Sequence, residues 1–287
     1  MKPESLQLER LDEARLRRAV VLLEKSSLIT MLAQAIGRPV TAILSSLPNI
    51  ASDAIQKVSR IAILQCLRIA MRPSRPNGLL ARSGKHPKLI SGLAGAVGGF
   101  LGLPALAIEL PVTTVVLFQS IVRIAVEEGE DISNLETRLA CLEVFALSSN
   151  GKGPAATDQG YYAVRNALAP SLDEAANHLL RRSSSQQTAP VLIQFISMIA
   201  ARFGLIVSEE VAASAVPFVG AITGASLNVV FVQHFNNIAR GHFAVRALER
   251  KYGQAAIRDQ FEEISKQLEA PKQKLLASPS SIRLIER

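Results

Sequence analysis

A run of twenty residues without an acidic or basic side chain, Leu89 to Ile108, constrains the fold of this chain more than any other feature. Its glycines recur at four-residue intervals, as Gly95 and Gly99 do, and a lone carboxylate, Glu109, follows it. Small residues at this interval let two helices approach closely, most often inside membranes. A carboxylate within apolar sequence needs a partner or a functional cavity. The run is therefore expected to lie at the apolar centre of the protein or against a membrane.

The rest of the chain predicts an all-α fold. Apolar residues recur at helical spacing in most segments, and no strand-like alternation is long enough to indicate a sheet. A second apolar run, residues 211–239, contains the pair Gly220 and Gly224. Two glycine-rich apolar hairpins are therefore expected at the centre of a multi-helix bundle. Pro104 and Pro111 are expected to kink the first of them.

Several helix boundaries follow from capping residues. The apolar stretch Leu28–Ile36 should form a helix that ends at Gly37, because glycine readily adopts the left-handed conformation of a helix C-terminus. Ser133 with Glu136 has the spacing of a capping box, which predicts a helix start there. A second capping box at Ser171, directly after a proline, predicts another helix start.

Composition places the chain between ordinary soluble proteins and multi-span membrane proteins. Apolar residues make up 48%, charged residues 20%, and Trp is absent, so an aromatic belt is not expected. Residues 1–253, with a core of about 16–253, should fold as one domain, and residues 254–287 as an amphipathic helix and a frayed tail. Residues 89–108 and 211–232 reach the length of a bilayer core. Peripheral association with partial insertion, a fully soluble protein and true spanning all remain open.

The basic residues are unevenly distributed along the chain. The net charge is +8, and residues 54–108 contain eight Lys or Arg side chains and no acidic one. Excess basic charge beside an apolar run is typical of a surface that faces anionic lipid on the cytoplasmic side. A solvated basic face is the alternative, and nucleic acid is not expected as a partner because aromatic residues for base stacking are scarce there. The candidate residues for an anionic membrane surface are Arg72, Arg75, Arg82, Lys85 and Lys88.

Motifs for catalysis or metal binding are missing from the sequence. The glycine-rich run lacks the strand and helix context of a dinucleotide fingerprint, and no Walker, G-x-S-x-G or H-E-x-x-H motif occurs. Cys66 and Cys141 lack metal-binding spacing, which favours buried thiols in a reducing compartment. No metal and no cofactor are therefore expected. If the protein is an enzyme, its catalytic residues are unknown. The sequence favours a protein that is not an enzyme.

Three charged residues are candidates for a buried polar cluster: Glu109, Arg123 and Glu143. Glu109 and Arg123 are fourteen residues apart, about four helical turns, so a continuous helix would place them on one face. Glu143 lies in an apolar stretch of the following helix. Such a cluster favours a structural ion pair between two helices, and a catalytic or proton-handling role is the alternative.

A polar streak accompanies the second apolar run and continues beyond it. The two histidines are eight residues apart and have no acidic neighbour, so they form a poor metal site. Hydrogen bonds between helices are the expected role. The candidate residues are Asn228, His234, His242 and Arg246.

Two stretches resemble the EcsC protein family. Residues 98–131 contain GGFLGLP, then an acid followed by LP, and a helix that ends in a Gly-acid turn. Residues 216–253, which begin VPFVGAITGAS and end AVRALERKYG, are similar to the C-terminal half of that family. A weaker likeness precedes both, so the resemblance covers about residues 16–253 in matching order.

The resemblance implies a bacterial, helical protein of a biochemically uncharacterised family, with no catalytic residues to carry over. The matching polar positions are Glu109, Asn228 and Arg246. The family takes its name from a gene beside that of an ABC exporter. An accessory role at a membrane is therefore implied, with such a transporter as one candidate partner.

The leading hypothesis is an accessory protein that binds lipid or a membrane protein at the cytoplasmic face. The charged N-terminal segment does not resemble a secretory signal, which agrees with that side of the membrane. One alternative is an enzyme that acts on a lipid-like substrate through a buried Glu109, with Arg123 or His234 as its partner. Another is a soluble helical interaction protein whose glycines permit tight packing.

Overall fold

The computed structural model of the protein describes residues 8–25, 27–37, 51–71, 102–147, 160–180, 190–215 and 224–276. These residues contain nine α-helices and no strand, which confirms the all-α class. The centres of both predicted glycine-rich hairpins, residues 89–101 and 216–223, lie outside the described residues. The helices are α1 (Arg10–Val20), α2 (Leu28–Ile36), α3 (Ala51–Ala70), α4 (Gly102–Glu127), α5 (Leu135–Leu147), α6 (Tyr161–Leu180), α7 (Pro190–Ala215), α8 (Gly224–Tyr252) and α9 (Gln254–Leu276).

Two helices end at glycines with left-handed backbone. Gly37 has a φ of 68° and closes α2, as the sequence predicts, and its N–H donates to the backbone oxygen of Gln34 at 3.3 Å. Gly253, with a φ of 91°, separates α8 from α9. Other residues adopt this conformation only with strain, so both helix ends are local properties of the sequence.

The predicted helix start at Ser171 is wrong. Helix α6 begins at Tyr161 and continues through Pro170, and Ser171 is buried beside the Met198 sulfur at 3.5 Å. Helix α4 likewise continues through Pro111. A proline inside a helix removes one backbone hydrogen bond, and packing against neighbouring helices compensates here, since α6 contacts both α5 and α7.

The capping box at the start of α5 is replaced by another cap. Asn134 caps the helix, because its side-chain oxygen accepts the N–H of Glu136 at 3.0 Å. The hydroxyl of Ser133 instead donates to the carboxylate of Asp131 at 2.7 Å. The helix therefore begins near the predicted position, but its cap is Asn134, because the hydroxyl of Ser133 is hydrogen-bonded to Asp131.

Helix α5 is the central helix of the described fold. All residues from 139 to 147 are buried, and α5 packs against α3, α4, α6, α7 and α8. Its Phe145 ring meets Phe203 of α7 and Phe235 of α8 at centroid distances of 5.1 and 5.4 Å. A helix that is apolar on every side is expected in a core, so Glu143 within it is the exception that needs explaining.

The two ends of the described chain pack together. Helix α9 contacts α8 and α1, and buries Ile257, Phe261 and Ile264 in the common core. On α8, Lys251 donates to Asp12 of α1 at 2.8 Å. Residues 277–287 lie outside the described residues, and the division of the chain at residue 253 stays a prediction.

By length and composition, two of the described helices could cross a membrane. They are Glu109–Glu127, with a mean hydropathy of 1.5, and Pro190–Val211, with a mean hydropathy of 2.0. Half of each is buried inside the protein, and the core helix of a soluble protein passes the same test. The runs 89–108 and 211–232 predicted from the sequence lie partly outside the described residues and stay predictions. These helices permit membrane association without establishing it.

Candidate functional site: a charged pocket at one end of the bundle

A pocket of about 470 Å³ lies where the turn between α4 and α5, the first half of α6, the end of α8 and the start of α9 meet. Its volume falls within the range of small-molecule sites. We call it the charged pocket, because seven of its eleven lining residues are ionisable. The lining residues are Gly129, Glu130, Asp131, Asn134, Glu136, Thr137, Arg165, Arg246, Glu249, Arg250 and Gln254.

Glu130 joins two helices at the pocket wall. Its buried carboxylate accepts hydrogen bonds from Arg246 Nε at 2.9 Å, from Arg250 Nη1, and from the Thr137 hydroxyl at 3.3 Å. Burial alone would raise the pKa of Glu130, but the hydrogen bonds and charges of Arg246 and Arg250 together lower that pKa. The carboxylate is therefore ionised at neutral pH, and it holds the turn after α4 against α8.

A second ion pair forms the neighbouring part of the wall. Arg165 donates two hydrogen bonds to the Glu249 carboxylate, at 2.7 and 2.8 Å, and the Tyr162 hydroxyl donates to the same carboxylate at 3.0 Å. The two charged side chains are only 13% and 9% exposed, so solvent screens them little. A bidentate pair fixes both planar groups, and it therefore sets the orientation of Arg165 toward the pocket.

A chain of hydrogen bonds leads from this arginine into the core. Arg165 Nη1 donates to the Tyr161 hydroxyl oxygen at 3.3 Å, and that hydroxyl lies 3.0 Å from His242 Nδ1. Because guanidinium groups only donate, the tyrosine proton is available for Nδ1, which leaves the histidine proton on Nε2. His242 Nε2 in turn lies 3.9 Å from Glu143 Oε2, beyond hydrogen-bond distance.

The two buried groups at the inner end of these contacts, His242 and Glu143, both favour their neutral forms. Burial raises the pKa of Glu143 to about 7, and burial lowers the pKa of His242 well below 6.5, with Arg165 and Arg246 acting in the same direction on the histidine. At neutral pH the histidine is therefore neutral, and Glu143 is the buried group whose charge changes. Their contact is not a permanent ion pair.

The Glu143→Gln variant should gain stability over the wild type as the pH rises. The unfolded chain releases the Glu143 proton near pH 4.5 and the folded chain near pH 7, so the free energy of unfolding of the wild type falls between these values. The shift corresponds to a relative gain for the variant of about 2 kcal/mol between pH 5 and pH 8. Urea unfolding at both pH values measures it.

Glu136→Gln, at an exposed position on the same helix, is the matched control for this comparison. As the pH falls below 6.5, the titration of His242 lowers the free energy of unfolding of the wild type and of Glu143→Gln alike. It therefore cancels in the difference between these two proteins. A constant difference between wild type and Glu143→Gln across this range would show that Glu143 is ionised in the folded protein throughout.

The model of the EcsC protein family matches residues 26–248. The chain belongs to the EcsC protein family. A comparison with curated proteins finds no match, and a comparison with solved structures finds none either. In this EcsC-family protein the buried pair of Glu143 and His242 lies within the matched residues, whereas Glu249 and Arg250 of the charged pocket lie just beyond them.

The structure gives the three residues of the predicted buried cluster different surroundings. Glu143 lies against His242, and Arg123 is exposed on α4. Glu109 is half-buried near the start of α4, and burial raises its pKa. Its charge acts on Glu210 of α7, whose pKa is raised to about 8 by burial and by Glu109. Glu143 is thus the member of the three that lies beneath the charged pocket.

Two residues of the predicted polar streak reach this region of the EcsC-family fold. His242 belongs to the buried chain, and Arg246, one helical turn later, lines the pocket. His234 is buried with its ring 5.6 Å from that of Phe235, and Asn228 is partly exposed. The streak therefore divides along α8 into a core part and a pocket part.

The predicted membrane-binding residues cannot be placed in the fold. Arg72, Arg75, Arg82, Lys85 and Lys88 all lie outside the described residues. The part of the basic region that is described lies on α3, where Lys57, Arg60 and Arg68 are exposed. Within the described ranges, no group of three or more His, Cys, Asp or Glu side chains could hold a metal ion.

Sequence reasoning missed most of the charged pocket. Glu130 and Arg246 are 116 positions apart, and Arg165 and Glu249 are 84 apart, so their spacing carries no signal. Two local signals were present. Tyr161 precedes Arg165 by one helical turn, and Arg246 precedes Arg250 by the same interval, which places polar groups on one helix face.

Proposed function

We propose that this EcsC-family protein is a binding protein, not an enzyme, that acts as an accessory factor at the cytoplasmic face of a membrane. The observation that supports this most is the exposed face of α3. Lys57, Arg60 and Arg68 are exposed there together with Ile61, whose side chain is 51% exposed. On an α-helix these four positions fall within an arc of about 100°, which also contains the exposed Asp53, so the face carries three basic residues and one acidic residue. Basic residues around an exposed apolar side chain are typical of helices that lie on anionic membranes.

The neighbours of α3 strengthen the proposal. Helix α3 packs between α4 and α7, which contain the two most apolar long segments of the described chain. Each segment is only half buried, and Val126 of α4 and Ile193 of α7 are 38% and 40% exposed. The basic face of α3 therefore lies beside two helices whose exposed apolar side chains are compatible with lipid contact. In the sequence, Arg72 and the other four predicted residues follow α3, and no acidic residue lies among them.

Charge reversal on α3 should release the protein from anionic vesicles. Each basic residue near an anionic surface contributes about 1 kcal/mol, so the triple variant Lys57→Glu, Arg60→Glu, Arg68→Glu should lower vesicle partitioning roughly a hundredfold. Sedimentation with phosphatidylglycerol-containing vesicles at low and high salt measures the loss. Reversal of the five residues Arg72, Arg75, Arg82, Lys85 and Lys88 should lower partitioning further, because more basic residues are removed.

The matched control reverses three exposed basic residues elsewhere, Arg10, Arg18 and Lys266. It changes net charge equally and should leave much of the partitioning intact. Equal losses in both triple variants would mean that net charge, not the α3 face, governs binding. Unchanged binding in the α3 variant would remove the electrostatic basis of the proposal.

Fractionation of the expressed protein tests location directly. Membranes are washed with high salt and then with alkaline carbonate. Release by salt supports a peripheral, charge-held protein, and retention through carbonate indicates inserted apolar segments. Binding to native membranes but not to protein-free vesicles would indicate a membrane-protein partner, such as the transporter that the family resemblance suggests. Recovery only in the soluble fraction contradicts the proposal.

A further inference from the structure

The ion-paired wall of the charged pocket has an excess of positive charge. Glu130 accepts hydrogen bonds from both Arg246 and Arg250, whereas Arg165 and Glu249 pair one to one. Two carboxylates therefore offset three guanidinium groups, and one positive charge remains at the wall. Neither carboxylate is shared with any further arginine in the described part of the chain.

The same arginines retain unused donors. Arg246 uses Nε and Nη2 on Glu130, so its Nη1 makes no hydrogen bond within the described residues. Arg250 Nη2 reaches the backbone oxygen of Glu128 only at 3.4 Å. Guanidinium groups bind oxyanions through paired N–H donors. Gln254 at the wall is the first residue of α9, so the positive end of that helix dipole adds to the field.

The rest of the lining has the opposite sign. Asp131 and Glu136 are exposed carboxylates of the pocket, which brings the whole lining to three arginines against four acids and a net charge of −1. A dianion such as free phosphate would be attracted by the arginines and repelled by these acids. A ligand that carries both signs satisfies the two regions together, and a pocket of about 470 Å³ can hold it.

We propose that the charged pocket binds a small zwitterion in which a phosphate ester and an ammonium group are joined by a short linker. The phosphate lies at Arg246 and Arg250, and the ammonium group lies near Asp131 and Glu136. This chemistry occurs in free aminoalkyl phosphates and in the aminoalkyl phosphodiester headgroups of lipids. The site uses none of the α3 residues, so it is independent of the membrane-binding face.

Calorimetric titration of the full chain with three probes tests the ligand class. O-phosphoethanolamine is a zwitterionic monoester, glycerophosphoethanolamine is the corresponding diester, and ethyl phosphate has no ammonium group. At least one zwitterion should bind tenfold or more tightly than ethyl phosphate. Preference for the monoester indicates a free metabolite, and binding of the diester indicates a lipid headgroup. Failure of both zwitterions to bind at millimolar concentration, or equal binding of ethyl phosphate, overturns the proposal.

Variants of the pocket test the residues. Arg250→Ala should weaken binding of the zwitterion about tenfold or more, since it removes a charged donor. Arg250 is 46% exposed, and Glu130 keeps its ion pair with Arg246 in this variant, so the variant should remain folded. Circular dichroism checks the fold. Glu136→Gln should weaken the zwitterion but not ethyl phosphate, a split that a structural role alone would not produce. Arg18→Ala, at an exposed site outside the pocket, should bind as the wild type does. Wild-type affinity in Arg250→Ala contradicts the assignment.

Discussion

Replacing Phe145 by alanine is expected to lower the free energy of unfolding by about 4 kcal/mol, the range for deleting a buried phenylalanine ring. The side chain is 0% exposed and lies between Phe203 of α7 and Phe235 of α8. Its removal would leave a cavity where α5 meets both helices. Urea unfolding followed by far-ultraviolet circular dichroism measures the loss. In a chain of this size it should lower the Tm by about 10 °C.

Phe145→Leu is the matched control for this prediction. Leucine keeps most of the volume and all of the apolar character, so a loss of about 1 kcal/mol is expected. Both variants lose the ring contacts with Phe203 and Phe235, so the contrast between them isolates the effect of the cavity. A loss below 1 kcal/mol for the alanine variant would show that α5 is not the tightly packed centre of this fold.

The second large effect is expected at Glu130. Glu130→Ala removes a buried carboxylate that receives two arginines and a threonine hydroxyl, and breaking a buried ion pair costs about 3–4 kcal/mol when one partner remains. Chemical unfolding at pH 7 measures it. The pKa of Glu130 is lowered in the folded protein, so its stabilisation is present above pH 4.5 and is lost as the pH falls through the folded pKa. Wild type and variant should therefore converge in acid.

Glu128→Ala is the matched control, two residues earlier in the same turn. Glu128 pairs with Arg15, and the two side chains are 22% and 41% exposed, so the loss should stay below about 1 kcal/mol. Equal effects of the two substitutions would show that the ion pairs of the charged pocket are solvent-screened. A gap between wild type and Glu130→Ala that persists at pH 3 would assign the effect to packing.

The two proposals assign membrane contact and ligand binding to different parts of this EcsC-family protein. The proposed membrane contact uses charge and apolar surface on α3, α4 and α7. The pocket lies where α5, α6, α8 and α9 meet, and five of its seven ionisable residues form ion pairs. The two proposals can therefore fail separately, one in vesicle binding and the other in calorimetry.

Prediction from the sequence succeeded where structure is local. The helix Leu28–Ile36 ends at Gly37 as expected, because a left-handed glycine at a helix end depends on a few neighbouring residues. The capping box at Ser133 failed because Asp131, two residues away, competes for the hydroxyl. The helix start at Ser171 failed because packing carried α6 through a proline. Local patterns therefore predicted where helices exist better than where they begin.

The site shows the limit more clearly. Glu143 was identified as a polar residue in an apolar helix, but its expected partners were on the preceding helix, and the structure places His242 against it. Spacing along one helix shows which residues share a face, and it contains no information about which face of a distant helix will meet them. The sequence by itself determined the all-α class, the family and the apolar character of α5. Only the tertiary structure decided the charged pocket, because ion pairs between residues 84 and 116 positions apart depend on how the helices pack.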